Sequence, residues 1–200
     1  MMKRLCTLMV ISTLVLAVAG CGNDSDEATS ETQTAANGDE FNDADVAFAS
    51  DMIQHHAQAL QLVDMTMGRD LDPEVLQLAE DVRAAQVPEI EQMAAWLTSW
   101  DQPIPATVRD HANAHGEGDV EMDDTPGMMS EDDMSQLEAA QGPEFEDLWL
   151  EMMIEHHAGA VDMAQTEQSE GVFQPAIALA DSIEASQEKE IDQMERLLGS

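Results

Sequence analysis

Between Asp43 and Met67 the residues Ala49, Met52, His56, Leu60, Val63 and Met67, apolar but for the histidine, recur three and four positions apart. That spacing predicts an amphipathic helix that buries one stripe. Asn42 or Asp43 supplies its N-cap and Gly68 its stop. A second helix opens at Asp72-Pro73-Glu74, a cap followed by proline at the first helical position. It runs to about Trp100, where Gln102-Pro103-Ile104-Pro105 ends it. Pro88 inside it is expected to kink the helix or to remove one backbone bond. The pattern then returns. Gly142-Pro143-Glu144 opens a third long helix that reaches about Ser169, and Gly171 breaks it. Gln174-Pro175 opens the last, which ends near Leu198. Alternating strand patterns are absent.

The second pair of helices repeats the first. Residues 48–97 align with 149–198 at a constant offset of 101, without gaps, and 15 of the 50 positions are identical. Chance would supply about three at this composition. The matches cluster in two runs. Met52-Ile53-x-His55-His56-Ala57-x-Ala59 pairs with Met153-Ile154-x-His156-His157-Ala158-x-Ala160. Gln86-x-x-Glu89-Ile90-x-Gln92-Met93 pairs with Gln187-x-x-Glu190-Ile191-x-Gln193-Met194. Two amphipathic hairpins that bury their stripes against each other make an all-α fold, a four-helix bundle. The hairpins occupy 41–100 and 142–200, and the connection 101–141 is acidic, with a short helix expected after Ser130.

The N-terminus changes the picture from a bundle to an exported bundle. Met1-Met2-Lys3-Arg4 is followed by an uncharged apolar run from Leu5 to Gly20, and Val18-Ala19-Gly20-Cys21 closes it with small residues before a cysteine. Residues 1–20 thus read as a lipoprotein signal peptide and Cys21 as the lipidation site. The apolar run is short for a membrane span of roughly 20 residues. Cleavage removes Cys6, so neither a disulfide nor a thiolate site is expected. Residues 21–40 are polar and acidic and predict a disordered tether. The formal net charge is −35, and all 42 acidic residues follow Gly20. Such a surface repels nucleic acid and anionic membrane, so the expected contact with a membrane is the lipid alone. No protein partner is indicated.

Polar residues on the core stripes carry the candidate chemistry. From Met52, His55 lies about 60° to one side around the helix and His56 about 40° to the other. Met153, His156 and His157 repeat that arc. On the second helix of each unit, Val82-Gln86-Glu89-Met93-Trp96 and Ile183-Gln187-Glu190-Met194-Leu197 place Gln and Glu on a stripe that should be apolar. Buried polar groups need partners, and the facing histidines are the obvious ones. Two readings follow: Glu–His pairs that specify packing, or metal ligation with the carboxylate orienting a ligand from outside. A histidine dyad beside a thioether, presented twice, favours ligation, and imidazole with thioether favours copper over hard cations, other transition metals remaining open. Met52, His55, His56, Met153, His156 and His157 are the predicted ligands. Gln86, Glu89, Met93, Gln187, Glu190 and Met194 are supporting residues or further ligands. His111, His115, Met122, Met128 and Met129 form a secondary set in the connection, either a capture loop or a spacer.

The paired motifs resemble the bacterial family called domain of unknown function three-oh-five, whose hallmark is a Met-Ile-x-His-His-x-x-Ala helix followed by a Gln-x-x-Glu-Ile-x-x-Met helix. Gly127-Met128-Met129-Ser130 is also similar to that family. The resemblance covers roughly 41–198 and implies a ferritin-like helical bundle, an exported location and, for some members, copper binding in the cell envelope. Di-iron members of the ferritin-like class use Glu-x-x-His. Here Met52 and Met153 stand where that Glu would be, which replaces a hard donor with a soft one. No serine–histidine elbow, phosphate loop or CxxC motif is present. The expectation is therefore an envelope lipoprotein that binds copper for sequestration or delivery. A redox enzyme on the same sites and a metal-free interaction protein are the alternatives.

Overall fold

The computed structural model describes residues 31–109 and 125–199. Five helices carry the fold: α1 (Asp43–Asp64), α2 (Pro73–Ser99), α3 (Glu131–Ala139), α4 (Pro143–Glu170) and α5 (Gln174–Leu198). The fold is all-α, a four-helix bundle of two hairpins, α1–α2 and α4–α5, with α1 against α4 at its centre. Local chemistry explains the helix boundaries. Asn42 caps α1 in a reciprocal capping box with Asp45, and Asp72 caps α2 ahead of Pro73. Ser130 and Asp133 form a second capping box that starts α3. Gly142, at φ 57°, turns the chain into α4. α1 stops at Asp64, three residues before the expected Met67, because the chain tightens into turns that end at Gly68, φ 77°. α2 runs through Pro88 without a break. Within the segment expected to be a tether, Gln33–Thr34 and Glu40–Phe41 pair as a minimal antiparallel hairpin, β1 and β2.

α1 and α4 run antiparallel. The Asn42 side chain donates to the Glu170 carbonyl at one end, and the Trp149 indole N–H donates to the Leu62 carbonyl at the other. The hairpins also exchange caps. Asp45 on α1 accepts from the backbone N–H of Phe173 at the start of α5, 2.9 Å. Glu146 on α4 accepts from the N–H of Asp72 at the start of α2, 2.7 Å. Both pairs are related by the repeat offset, so the repeats sit about an approximate two-fold axis.

The apolar core falls into two clusters. One joins Leu62, Val75, Leu78 and Val82 to Phe145, Trp149, Met153 and Met194. The other joins Phe48, Met52, Met93 and Leu97 to Ala160, Phe173, Ala180 and Ile183. Each cluster draws on both repeats, so neither hairpin completes a core by itself. Among the described residues, no helix is long and apolar enough to cross a membrane.

Candidate metal centre

Residues of both repeats meet in a polar layer at the middle of the bundle. His55, His56, His156 and His157 all have 0% of their surface exposed. The two sequence-predicted dyads are not two distant sites. The His55 and His156 rings lie 3.7 Å apart, centroid to centroid, tilted by 39° across the α1–α4 contact. Each residue thus faces its own counterpart, as a two-fold axis requires. The neighbouring rings within each dyad diverge, with centroids 6.5 Å apart for His55–His56 and 6.4 Å for His156–His157. The inner pair, His55 and His156, comes one from each repeat.

The outer histidines are anchored by the facing helices. His56 Nε2 lies 2.9 Å from Glu89 Oε2, and His157 Nε2 lies 2.7 Å from Glu190 Oε2. These are the Glu–His pairs expected from the polar stripes. A carboxylate that accepts from Nε2–H leaves the lone pair on Nδ1. Neither Nδ1 has a hydrogen-bond partner, and neither does any ring nitrogen of His55 or His156. Burial holds the inner pair well below the usual histidine range, and the neighbouring histidines push in the same direction. The Pro126 carbonyl beside His55 opposes this, at a geometry too poor for a hydrogen bond. Both inner rings are therefore neutral, each with an unpartnered lone pair.

Gln86 and Gln187 are buried in the same bundle, and Gln86 Oε1 and Nε2 and Gln187 Oε1 have no partner. Met52, Met153, Met93 and Met194 are fully buried, one pair in each apolar cluster. Among the described residues, no three His, Cys, Asp or Glu side chains converge in a ligating group as they stand. The arrangement instead offers a two-histidine pair, with thioethers on the same helical arcs. Two neutral imidazoles and soft sulfur suit a monovalent soft ion, which accepts few ligands, better than a hard cation. Orphaned nitrogens in such numbers are costly in a metal-free core, and an ion would satisfy them.

Met129 is buried and Met128 is half-buried. His111, His115, Met122 and Cys21 lie outside the described residues. The sequence reading missed Gln58, which is 2% exposed. Its amide binds the Met129 backbone twice, donating to the carbonyl at 2.8 Å and accepting from the N–H at 2.7 Å. The available signal was a mismatch inside the best-matching run, where Gln58 stands opposite Gly159. Asp45 and Glu167 were missed as well. Glu167 is 1% exposed, and burial first, then the neighbouring Asp45 carboxylate, push its carboxyl up to about 9.

The chain is a four-helix bundle with a buried histidine layer between its two repeats. The profile of the family described as Domain of unknown function (DUF305) matches residues 45–198. The chain belongs to that family. A DUF305 protein of Streptomyces coelicolor, inferred to be secreted, is 31% identical with a TM-score of 0.66, over 78% of this chain and 91% of that one. A DUF305 fragment from Deinococcus radiodurans is 30% identical with a TM-score of 0.66, over 84% of this chain and 99% of that one. CopM in its Cu(II)-bound form is 27% identical with a TM-score of 0.63, over 78% of this chain and 95% of that one. CopM has also been solved with Cu(I), with silver and in the apo form. No curated protein sequence matches the chain.

Proposed function

We propose that this chain is an exported lipoprotein that binds copper in the cell envelope, for sequestration or delivery, with the ion as cargo. The observation that carries the reading is the inner pair: two fully buried histidines, one from each repeat, 3.7 Å apart and without hydrogen-bond partners. Met52, His55, His56, Met153, His156 and His157 form the binding layer, with Glu89 and Glu190 orienting the outer rings. Soft donors favour Cu(I) over Cu(II) there. The copper- and silver-bound forms of CopM support the choice of metal. The donor set supports binding rather than turnover.

Copper affinity, measured by competition with a chelator under reducing conditions, tests the site. Replacing His55, His56, His156 and His157 with Ala should abolish tight binding. Replacing either inner histidine alone should weaken it at least about as much as losing an outer-sphere partner does, about 10–100-fold. Helicity is measured in parallel. A folded four-histidine variant that binds copper like the parent would make the layer a packing device. The anchor is tested separately. Cys21→Ser should move the protein out of the lipid-labelled membrane fraction, and unchanged labelling would remove the lipoprotein reading.

A further inference from the structure

The binding layer is completely buried, so an ion reaches it only if some segment moves. Four long helices are held by their own backbone bonds and by the apolar clusters. The segment Thr125–Ser130 differs. It is non-helical and lies across the α1–α4 groove at the level of the inner histidines. Pro126 and Gly127 press on α4. A Cβ at Gly127, φ 74°, would meet the Glu155 carbonyl oxygen at 2.6 Å and the His156 carbonyl oxygen at 3.0 Å. A Cβ at Gly159 would fall onto the Pro126 carbonyl and lie 2.7 Å from Gly127 N. The Pro126 carbonyl also sits beside the His55 ring. Two residues later the chain is over α1, where Gln58 holds the Met129 backbone with two hydrogen bonds.

The repeat identifies what these residues are for. Gln58 and Gly159 are equivalent positions, flanked on both sides by identical alanines. Glycine inside a helix is unfavourable for the helix itself. Its presence in α4 is explained by the close backbone approach of Pro126 and Gly127. Glutamine buried on α1 is explained by its two bonds to Met129. The Gln58–Gly159 mismatch in this run of the repeat therefore serves a single segment, which contacts both sides of the axis. Beyond it, Arg69 donates to the Ala140 and Glu138 carbonyls and Leu137 is fully buried, which pins α3. Lifting Thr125–Ser130 breaks the two Gln58 bonds and withdraws Met129 from the core, but leaves every helix pair together.

We infer that Thr125–Ser130 is a strap that closes the groove over His55 and His156, latched by Gln58 and seated on Gly159, and that metal passes when it lifts. The inference rests on the metal-binding reading for its consequence but not for its geometry. Two variants test it in the full soluble chain. Gln58→Leu removes both latch bonds at similar volume. Gly159→Ala favours α4 but forces the strap off its seat, so loss of the helix cannot explain its effect. Two rates are measured: carbethoxylation of His55 and His156 by diethyl pyrocarbonate, mapped by mass spectrometry, and uptake of silver ion in timed desalting samples. Both rates should rise about tenfold in Gln58→Leu, the effect of losing roughly one to two net hydrogen bonds, and at least as much in Gly159→Ala. Circular dichroism should remain that of the parent. Parent-like carbethoxylation in both variants overturns the strap, and so does faster carbethoxylation when the parent takes up silver and the variants take it up no faster. If no variant and no parent takes up silver while carbethoxylation accelerates, the strap stands as a cover and the metal-binding reading falls.

Discussion

The first repeat, in α1 and α2, and the second, in α4 and α5, agree where they meet and differ where each meets something else. Met52, His55, His56, Gln86, Glu89 and Met93 return as Met153, His156, His157, Gln187, Glu190 and Met194. Near the axis a residue packs on its own counterpart, as His55 does on His156, so both copies share one environment. Away from the axis the environments part. Gln58 latches the strap while Gly159 makes room for it. Thr66 is a buried hydroxyl that donates to the Val63 carbonyl, but its counterpart Glu167 is a buried acid beside Asp45. Asp45, within the core, accepts from the Asn42 N–H of its own helix and from the Val172 and Phe173 N–H groups of its partner. Glu146 caps its partner at the surface, accepting from one N–H. The duplication thus preserves a symmetric centre, and the ends and the covered face have diverged around unique pieces of chain.

The exchanged caps give the larger test of that divergence. Asp45→Ala leaves the buried Asn42 and Phe173 N–H groups without an acceptor, and should cost about 1–3 kcal/mol. Glu146→Ala frees one exposed N–H that water can satisfy, and should cost about 0.5–1 kcal/mol. Urea denaturation of both variants measures the difference, and equal costs would mean that the two ends are equivalent after all.

Glu167 gives the smaller and more specific test. Its carboxyl titrates near 4.5 when free and is pushed up to about 9 in the fold. Between those values the unfolded chain has lost the proton and the folded chain holds it. Its contribution to stability is therefore complete below about 4.5, declines as pH rises and is gone above about 9. Glu167→Gln removes this titration. The variant's stability, followed by urea denaturation from pH 5 to 9, should decline less than the parent's. Parallel profiles would show that Glu167 is ionised in the fold. Thr66, at the equivalent position, cannot produce such a dependence.

Much of this was legible before any coordinates. The helix starts at Asp43, Pro73, Pro143 and Gln174 followed from caps and prolines, because capping acts within a few residues. The pairing of His56 with Glu89 and His157 with Glu190 followed from polar residues on stripes that must face each other. Of the two outcomes expected at Pro88, α2 continues through it, and the proline, which has no N–H, leaves one backbone bond unmade. The contact between His55 and His156 was not legible, and two separate dyads were the natural reading. Helical periodicity says which face is buried, not which of the other helices covers it. Gln58 looked like an ordinary helix residue for the same reason, since its partner is backbone 71 positions away.

The residues alone determined the helical class, the duplication, the acidic surface and the soft character of the donors. Each is a property of local spacing or composition and survives any arrangement of the helices. The tertiary structure decided that α1 lies antiparallel to α4, and everything specific about the site follows from that. It merges two dyads into one layer, splits the core into clusters shared by both repeats and turns one mismatched position into a latch and a seat. Those outcomes depend on contacts between residues about a hundred positions apart, which packing selects and no local pattern encodes.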